Sequence, residues 1–159
     1  MKLSEKEVGL LEKAYAIALY GNESDYCPES ETTLSDFENH FISIPADYRY
    51  LLKKFGGCYF VEPWVFTLKQ LLVEYPAFVE NYSKEKTIDI SENNVFPIGG
   101  LGDGSLICII KGTGKIAILP HDVYVENTND LEIIADDFKS FVLDLAQQGI
   151  ELKEICHGK

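Results

Sequence analysis

The sequence predicts an α+β domain: helices first, a mostly antiparallel sheet of about five or six strands in the middle, and a closing C-terminal helix. Three observations carry that expectation. Apolar residues recur at helical spacing in the first half of the chain, as in Tyr48, Leu51, Leu52 and Phe55. Short apolar runs punctuated by Gly and Pro follow between Val95 and Ile134. The helical period then returns in Phe138, Phe141, Val142 and Leu145.

The first helix is expected from about Lys6 to Tyr20. Ser4 and Glu7 have capping-box spacing, and Val8, Leu11, Tyr15 and Ala18 share one face. Gly21 to Ser30 is polar, acidic and turn-rich, so it reads as a loop. A short helix follows, with Thr33 as its cap and Leu34, Phe37 and Phe41 as its apolar stripe. Ile44-Pro45 starts a third helix, because proline suits the first helical turn. Gly56-Gly57 supplies a left-handed residue to end it. Cys58 to Val61 is a strand candidate stopped by Pro63. Thr67 and Gln70 cap a helix carrying Leu68, Leu71, Leu72 and Tyr75, which Pro76 ends or kinks.

In the second half, Val95 to Ile98 is a strand and GGLGDG (Gly99 to Gly104) a loop. Ser105 to Ile110 is nearly all apolar, as in a central strand covered on both faces. Gly112-Thr113-Gly114 reverses the chain into Lys115 to Leu119. Val123 to Glu126 and Leu131 to Ile134 are further short strands, and the closing helix spans about Ala135 to Gln148 with Gly149 as its stop. No repeat period appears. One domain is expected over residues 1–159.

Lys and Arg total 14 against 26 Asp and Glu, a net charge of -12. Such a surface repels nucleic acid phosphates and anionic lipid headgroups, and it speeds encounter with a basic partner. Many proteins are acidic only for solubility, so charge alone names no partner. No apolar stretch is long enough to span a membrane, and Met1 to Leu10 holds no apolar signal core. Cys27, Cys58, Cys108 and Cys156 lack zinc-knuckle or redox spacing. A reducing cytoplasm is therefore expected, and the triplets Asn22-Glu23-Ser24 and Asn81-Tyr82-Ser83 are read as chance sequons.

Nothing points to chemistry. GGLGDG lacks dinucleotide-fingerprint spacing, and GTGK at Gly112 to Lys115 has Ile109 and Ile116 where a phosphate loop needs Gly and Ser or Thr. His40, His121 and His157 share no local spacing, with His157 in a frayed tail. His121-Asp122 suits loop capping better than catalysis, because no nucleophile elbow exists. Asp136-Asp137 suits the N-terminus of the last helix. Trp64, in Glu62-Pro63-Trp64, fits either hinge packing or a binding hot spot. No enzyme, cofactor or metal site is expected.

Taken in order, the segments resemble the SUKH superfamily, which includes Smi/Knr-type fungal cell-wall regulators and many bacterial immunity proteins. Ile44-Pro45-Ala46-Asp47-Tyr48 running through Leu51-Leu52 to Phe55-Gly56-Gly57 is similar to that family's signature helix. Phe96-Pro97-Ile98-Gly99 with Gly102-Asp103-Gly104 resembles its glycine-acid loop, and Lys115 to Pro120 with His121-Asp122 its next strand and turn. Ile134-Ala135, Asp137-Phe138 and Phe141-Val142 resemble its terminal helix. The resemblance covers about residues 34–145, with Phe55 where Asn is usual.

The resemblance implies a non-catalytic cytosolic immunity protein that neutralises a polymorphic toxin domain, often a nuclease. A basic toxin surface suits an acidic inhibitor carrying rigid aromatic anchors. Tyr59, Glu62, Trp64, Tyr124 and Glu126 are the candidate partner-binding residues, lying on or beside expected strands. A regulatory or scaffolding module of the cell-wall type is the alternative, and a small hydrolase a third reading. The sequence leaves the oligomeric state open, a monomer being slightly favoured.

Overall fold

Ser4 begins the first helix as its spacing predicts. Its hydroxyl accepts from the Glu7 amide at 3.1 Å, and the Glu7 carboxylate accepts from the Ser4 amide at 2.9 Å. A computed structural model describes residues 1–21, 23–82 and 89–157. Within them the chain forms α1 (Glu5–Ile17), α2 (Glu31–His40), α3 (Ala46–Lys54), β1 (Trp64–Val65) and α4 (Leu68–Tyr82). There follow β2 (Val95–Gly100), β3 (Leu106–Ile110), β4 (Ile116–Leu119), β5 (Glu132–Ala135) and α5 (Phe138–His157). Asn22 and Ser83, and with them the two sequon readings, lie outside the described residues.

The strands make an antiparallel meander in chain order, β1-β2-β3-β4-β5. Residues alternate between the two faces of β3. Leu106 turns toward Phe78 of α4, while Ile109 turns toward Ile44 and the Phe138 end of α5. Both faces are thus covered at the centre, which is why β3 is apolar throughout. Tyr48 of α3 is fully buried between Phe96 and Phe138, and its hydroxyl donates to the Phe66 carbonyl at 2.7 Å. That bond meets the polar requirement of a buried phenol.

Phe55 has a packing reason. Its ring stacks on Tyr15 with centroids 5.0 Å apart, and the Tyr15 hydroxyl lies 3.3 and 3.2 Å from the Gly56 and Gly57 carbonyls. Gly56 has φ +96°, the left-handed conformation expected of it. Arg49 clamps α3 to α2. Its guanidinium meets Glu31 at 2.6 and 3.1 Å and Glu38 at 2.8 Å, while the other Glu38 oxygen accepts from the Ile44 amide at 2.9 Å.

Several expectations need correction. Cys58 to Val61 is not a strand: Cys58 makes a single bridge to Val65, and the chain then turns through a cis Glu62-Pro63 bond. Val123 to Glu126 is irregular, because β3 and β5 already occupy both sides of β4. Gly99-Gly100 belong to β2 rather than to a loop. Ser30, not Thr33, caps α2, accepting from the Thr33 amide at 3.1 Å.

Pro76 sits inside α4. The amide it lacks would have met the carbonyl of Leu72, on an exposed turn where water can serve. Helix α5 begins at Phe138, with the Asp137 carboxylate accepting from the Ser140 amide at 2.7 Å, and it runs through Gly149 to His157. Gly149 is there for space. A Cβ would lie 2.7 Å from that of Phe60 and 3.2 Å from that of Ala18.

Candidate partner-binding groove

Two hollows of about 570 and 520 Å³ lie end to end along α4 and share Glu74, Gly104 and Leu106. Together they form one groove with an aromatic stack at each end.

The first stack starts at Trp64. Its indole lies over Gly100, its partner across the β1–β2 ladder, where a Cβ would come within 3.0 Å of the ring. Next to it, Gly99 lets the strands close, since a Cβ there would run into the Trp64 carbonyl. Tyr59 stacks on the indole at 5.4 Å, and Tyr20 meets Tyr59 edge-on at 5.6 Å. Lys153 places its ammonium 4.7 Å from the Tyr20 ring centre. At the far end Tyr124 stacks on Tyr82, centroids 6.1 Å apart and planes within 2°. Burial raises the Tyr82 pKa, with Cys108 and Tyr124 adding to the effect.

One wall is the outer face of α4. Gln70, Val73, Glu74, Ala77 and Asn81 follow the i, i+3, i+4, i+7, i+11 pattern of one helix face and line the groove together. Val73 is 69% exposed. The other wall is the β2–β3 turn and the segment from Pro120 to Tyr124. Glu62 accepts from the Gly102 amide, and Asp103 from the Ser105 amide at 2.8 Å, which lowers the Asp103 pKa. The His121 ring lies against Gly104, with Nδ1 3.5 Å from the buried Ser105 hydroxyl. These contacts hold a turn together.

The segment after Tyr124 is also fixed. Asp89 accepts from the Thr128 amide at 2.9 Å and hydroxyl at 2.7 Å, which lowers its pKa. The Glu126 carbonyl accepts from the Asp89 and Ile90 amides at 3.1 and 3.4 Å.

Of the sequence-derived candidates, Tyr59 and Trp64 come together at one end and Tyr124 stands at the other, 53% exposed. Glu62 supports the turn rather than lining the groove, and Glu126 lies off it. Glu74, Val73 and Tyr82 are groove residues that sequence reasoning missed. Their signal was the period of Gln70, Val73, Ala77 and Asn81, hidden by reading only the stripe of Leu68, Leu71, Leu72 and Tyr75 and by expecting Pro76 to end or kink the helix.

GTGK forms the β3–β4 turn, with no helix behind it to hold a phosphate. Among the described residues no group of three or more His, Cys, Asp or Glu is placed to hold a metal ion. No helix among them is long and apolar enough to cross a membrane.

A sequence model of the SMI1 / KNR4 family (SUKH-1) matches residues 28–144, most of the chain and nearly all of the groove. The chain is also similar to the SPbeta prophage-derived uncharacterized protein YokK of Bacillus subtilis (strain 168). Identity is 28%, over 68% of this chain and 69% of that protein.

Proposed function

The chain belongs to the SMI1 / KNR4 (SUKH-1) family, and on that premise we propose that it is a non-catalytic immunity protein. It binds a cognate toxin domain in the cytosol and blocks it through the groove along α4. The observation that carries this reading is the pair of aromatic stacks, Tyr59–Trp64 and Tyr82–Tyr124, flanking an open groove in a chain of net charge -12. Rigid aromatic side chains supply contact area at small entropic cost, and an acidic surround steers a basic partner. A nuclease domain fits best, because its active site must be basic to hold phosphates. The prophage origin of the relative YokK is compatible with this reading.

Co-expression with the toxin domain encoded beside its gene tests the proposal. Wild-type protein should protect the cells, and a folded Tyr59→Ala/Trp64→Ala variant should not. Absence of protection by the wild type would overturn the reading. An envelope or growth defect on deletion, in a strain without the toxin, would point to a regulatory module instead.

A further inference from the structure

The aromatic stack at the Trp64 end continues beyond the groove. Trp64 and Tyr59 line the groove, whereas the next two members, Tyr20 and Lys153, line neither half of it. They connect to it through Tyr59. Tyr20 meets the Tyr59 ring at 80° with centroids 5.6 Å apart, and the Lys153 ammonium sits 4.7 Å from the centre of the Tyr20 ring. The Tyr20 amide donates to the Tyr59 carbonyl at 2.8 Å, so the two backbones are fastened together whatever side chain residue 20 carries. Helix α5 is fixed at the same place, because Gly149, one turn before Lys153, packs on Phe60, the neighbour of Tyr59. The family match begins at residue 28 and ends at residue 144. Tyr20 and Lys153 therefore lie outside it, one on each side, while Tyr59 and Trp64 lie within. Segments that family membership does not specify help to build this end of the groove.

A half-buried ring keeps rotamer freedom unless its neighbours hold it. The Trp64 indole lies over a glycine, so Tyr59 is its only ring partner among the described residues. Tyr59 in turn has one other ring partner there, Tyr20. An edge-to-face ring contact and an ammonium over a ring are each weak at a surface, but here they act in series on a ring with few other restraints. We propose that Tyr20 and Lys153 are positioning residues: they hold Tyr59 against Trp64, so that the indole is already oriented when the partner arrives. Orientation fixed before binding lowers the ordering cost of the complex, which makes these two residues determinants of what this chain binds. The proposal rests on the groove being the partner site, while the arrangement itself is testable without a partner.

Trp64 is the one tryptophan of the chain, so its fluorescence and its indole N–H resonance report this stack alone. In the intact protein, Tyr20→Ala and Lys153→Met should each move the indole resonance from its stacked position and raise acrylamide quenching of Trp64. The rise should be about twofold for Tyr20→Ala and smaller for Lys153→Met. Tyr20→Phe and Lys153→Arg, which keep the ring and the charge, should retain the wild-type values. A merely structural role predicts a lower urea midpoint with the Trp64 signals of the folded protein unchanged, and that result in Tyr20→Ala would overturn the proposal. Affinity for the inactivated toxin domain encoded beside the gene should then fall about threefold or more in Tyr20→Ala. Undiminished binding by a Tyr20→Ala variant whose Trp64 signals have moved would also overturn it. Failure of the wild type to bind that domain would instead remove the partner-site reading, and the two failures are told apart because the Trp64 signals need no partner.

Discussion

The indole of Trp64 lies 5.4 Å from the ring of Tyr59, with 14° between their planes. The two residues are close in sequence, but no strand or helical period relates them. The chain folds back at Pro63, and Gly100 leaves the space that the indole fills. The stack is therefore a product of the glycine pair on β2 as much as of the aromatic residues themselves.

If the stack is a coupled unit, a double-mutant cycle should show it. Tyr59→Ala and Trp64→Ala, measured singly and together by urea unfolding, are expected to give a coupling of about 1 kcal/mol. In partner binding each single change should cost about tenfold or more. Additive stabilities would mean that the rings touch without supporting each other.

Two helical glycines should respond in opposite directions to alanine. Gly9 is exposed within α1, and nothing lies within 4 Å of the position its Cβ would take, so Gly9→Ala should stabilise by about 1 kcal/mol. Gly149→Ala drives a methyl into Phe60 at 2.7 Å and should destabilise by about 1–3 kcal/mol despite alanine's better helix propensity. Thermal unfolding of both variants checks the pair.

The Arg49 clamp predicts a pH signature. Hydrogen bonds from Arg49, then from Lys53, lower the Glu31 pKa from 4.5 to about 2. Because the folded value is depressed, the stabilisation is present above about pH 4.5 and is lost as pH falls toward about 2. Arg49→Met should flatten that part of the stability profile. Urea midpoints between those pH values would show the difference.

Thiol reactivity should divide cleanly. Burial pushes the Cys58 thiol up to about 12 and raises that of Cys108 as well, while Cys27 and Cys156 are exposed. A thiol reagent at neutral pH should label Cys27 and Cys156 quickly, and Cys58 and Cys108 only on unfolding.

The sequence was most legible where one local rule decides the outcome. The Ser4–Glu7 and Thr67–Gln70 boxes, the β3–β4 reversal at Gly112 to Gly114 and the stripe of α3 all appear where their chemistry places them. It was least legible where distant segments decide. Gly149 looks like a stop until Phe60 and Ala18 are seen against it. Val123 to Glu126 has strand-like residues but no free strand beside it. For the groove, Tyr59, Trp64 and Tyr124 could be named as aromatic residues near strands, whereas Tyr82 depends on α4 continuing past Pro76 and Glu74 on the turn that faces it.

The central claim is that the groove along α4 receives a basic partner. Calorimetric titration with the inactivated toxin domain encoded beside the gene, at low and high salt, tests it most directly. The account predicts tight one-to-one binding that weakens with salt and is lost in the Tyr59→Ala/Trp64→Ala variant. No binding at either salt, or binding that ignores those two substitutions, would contradict it.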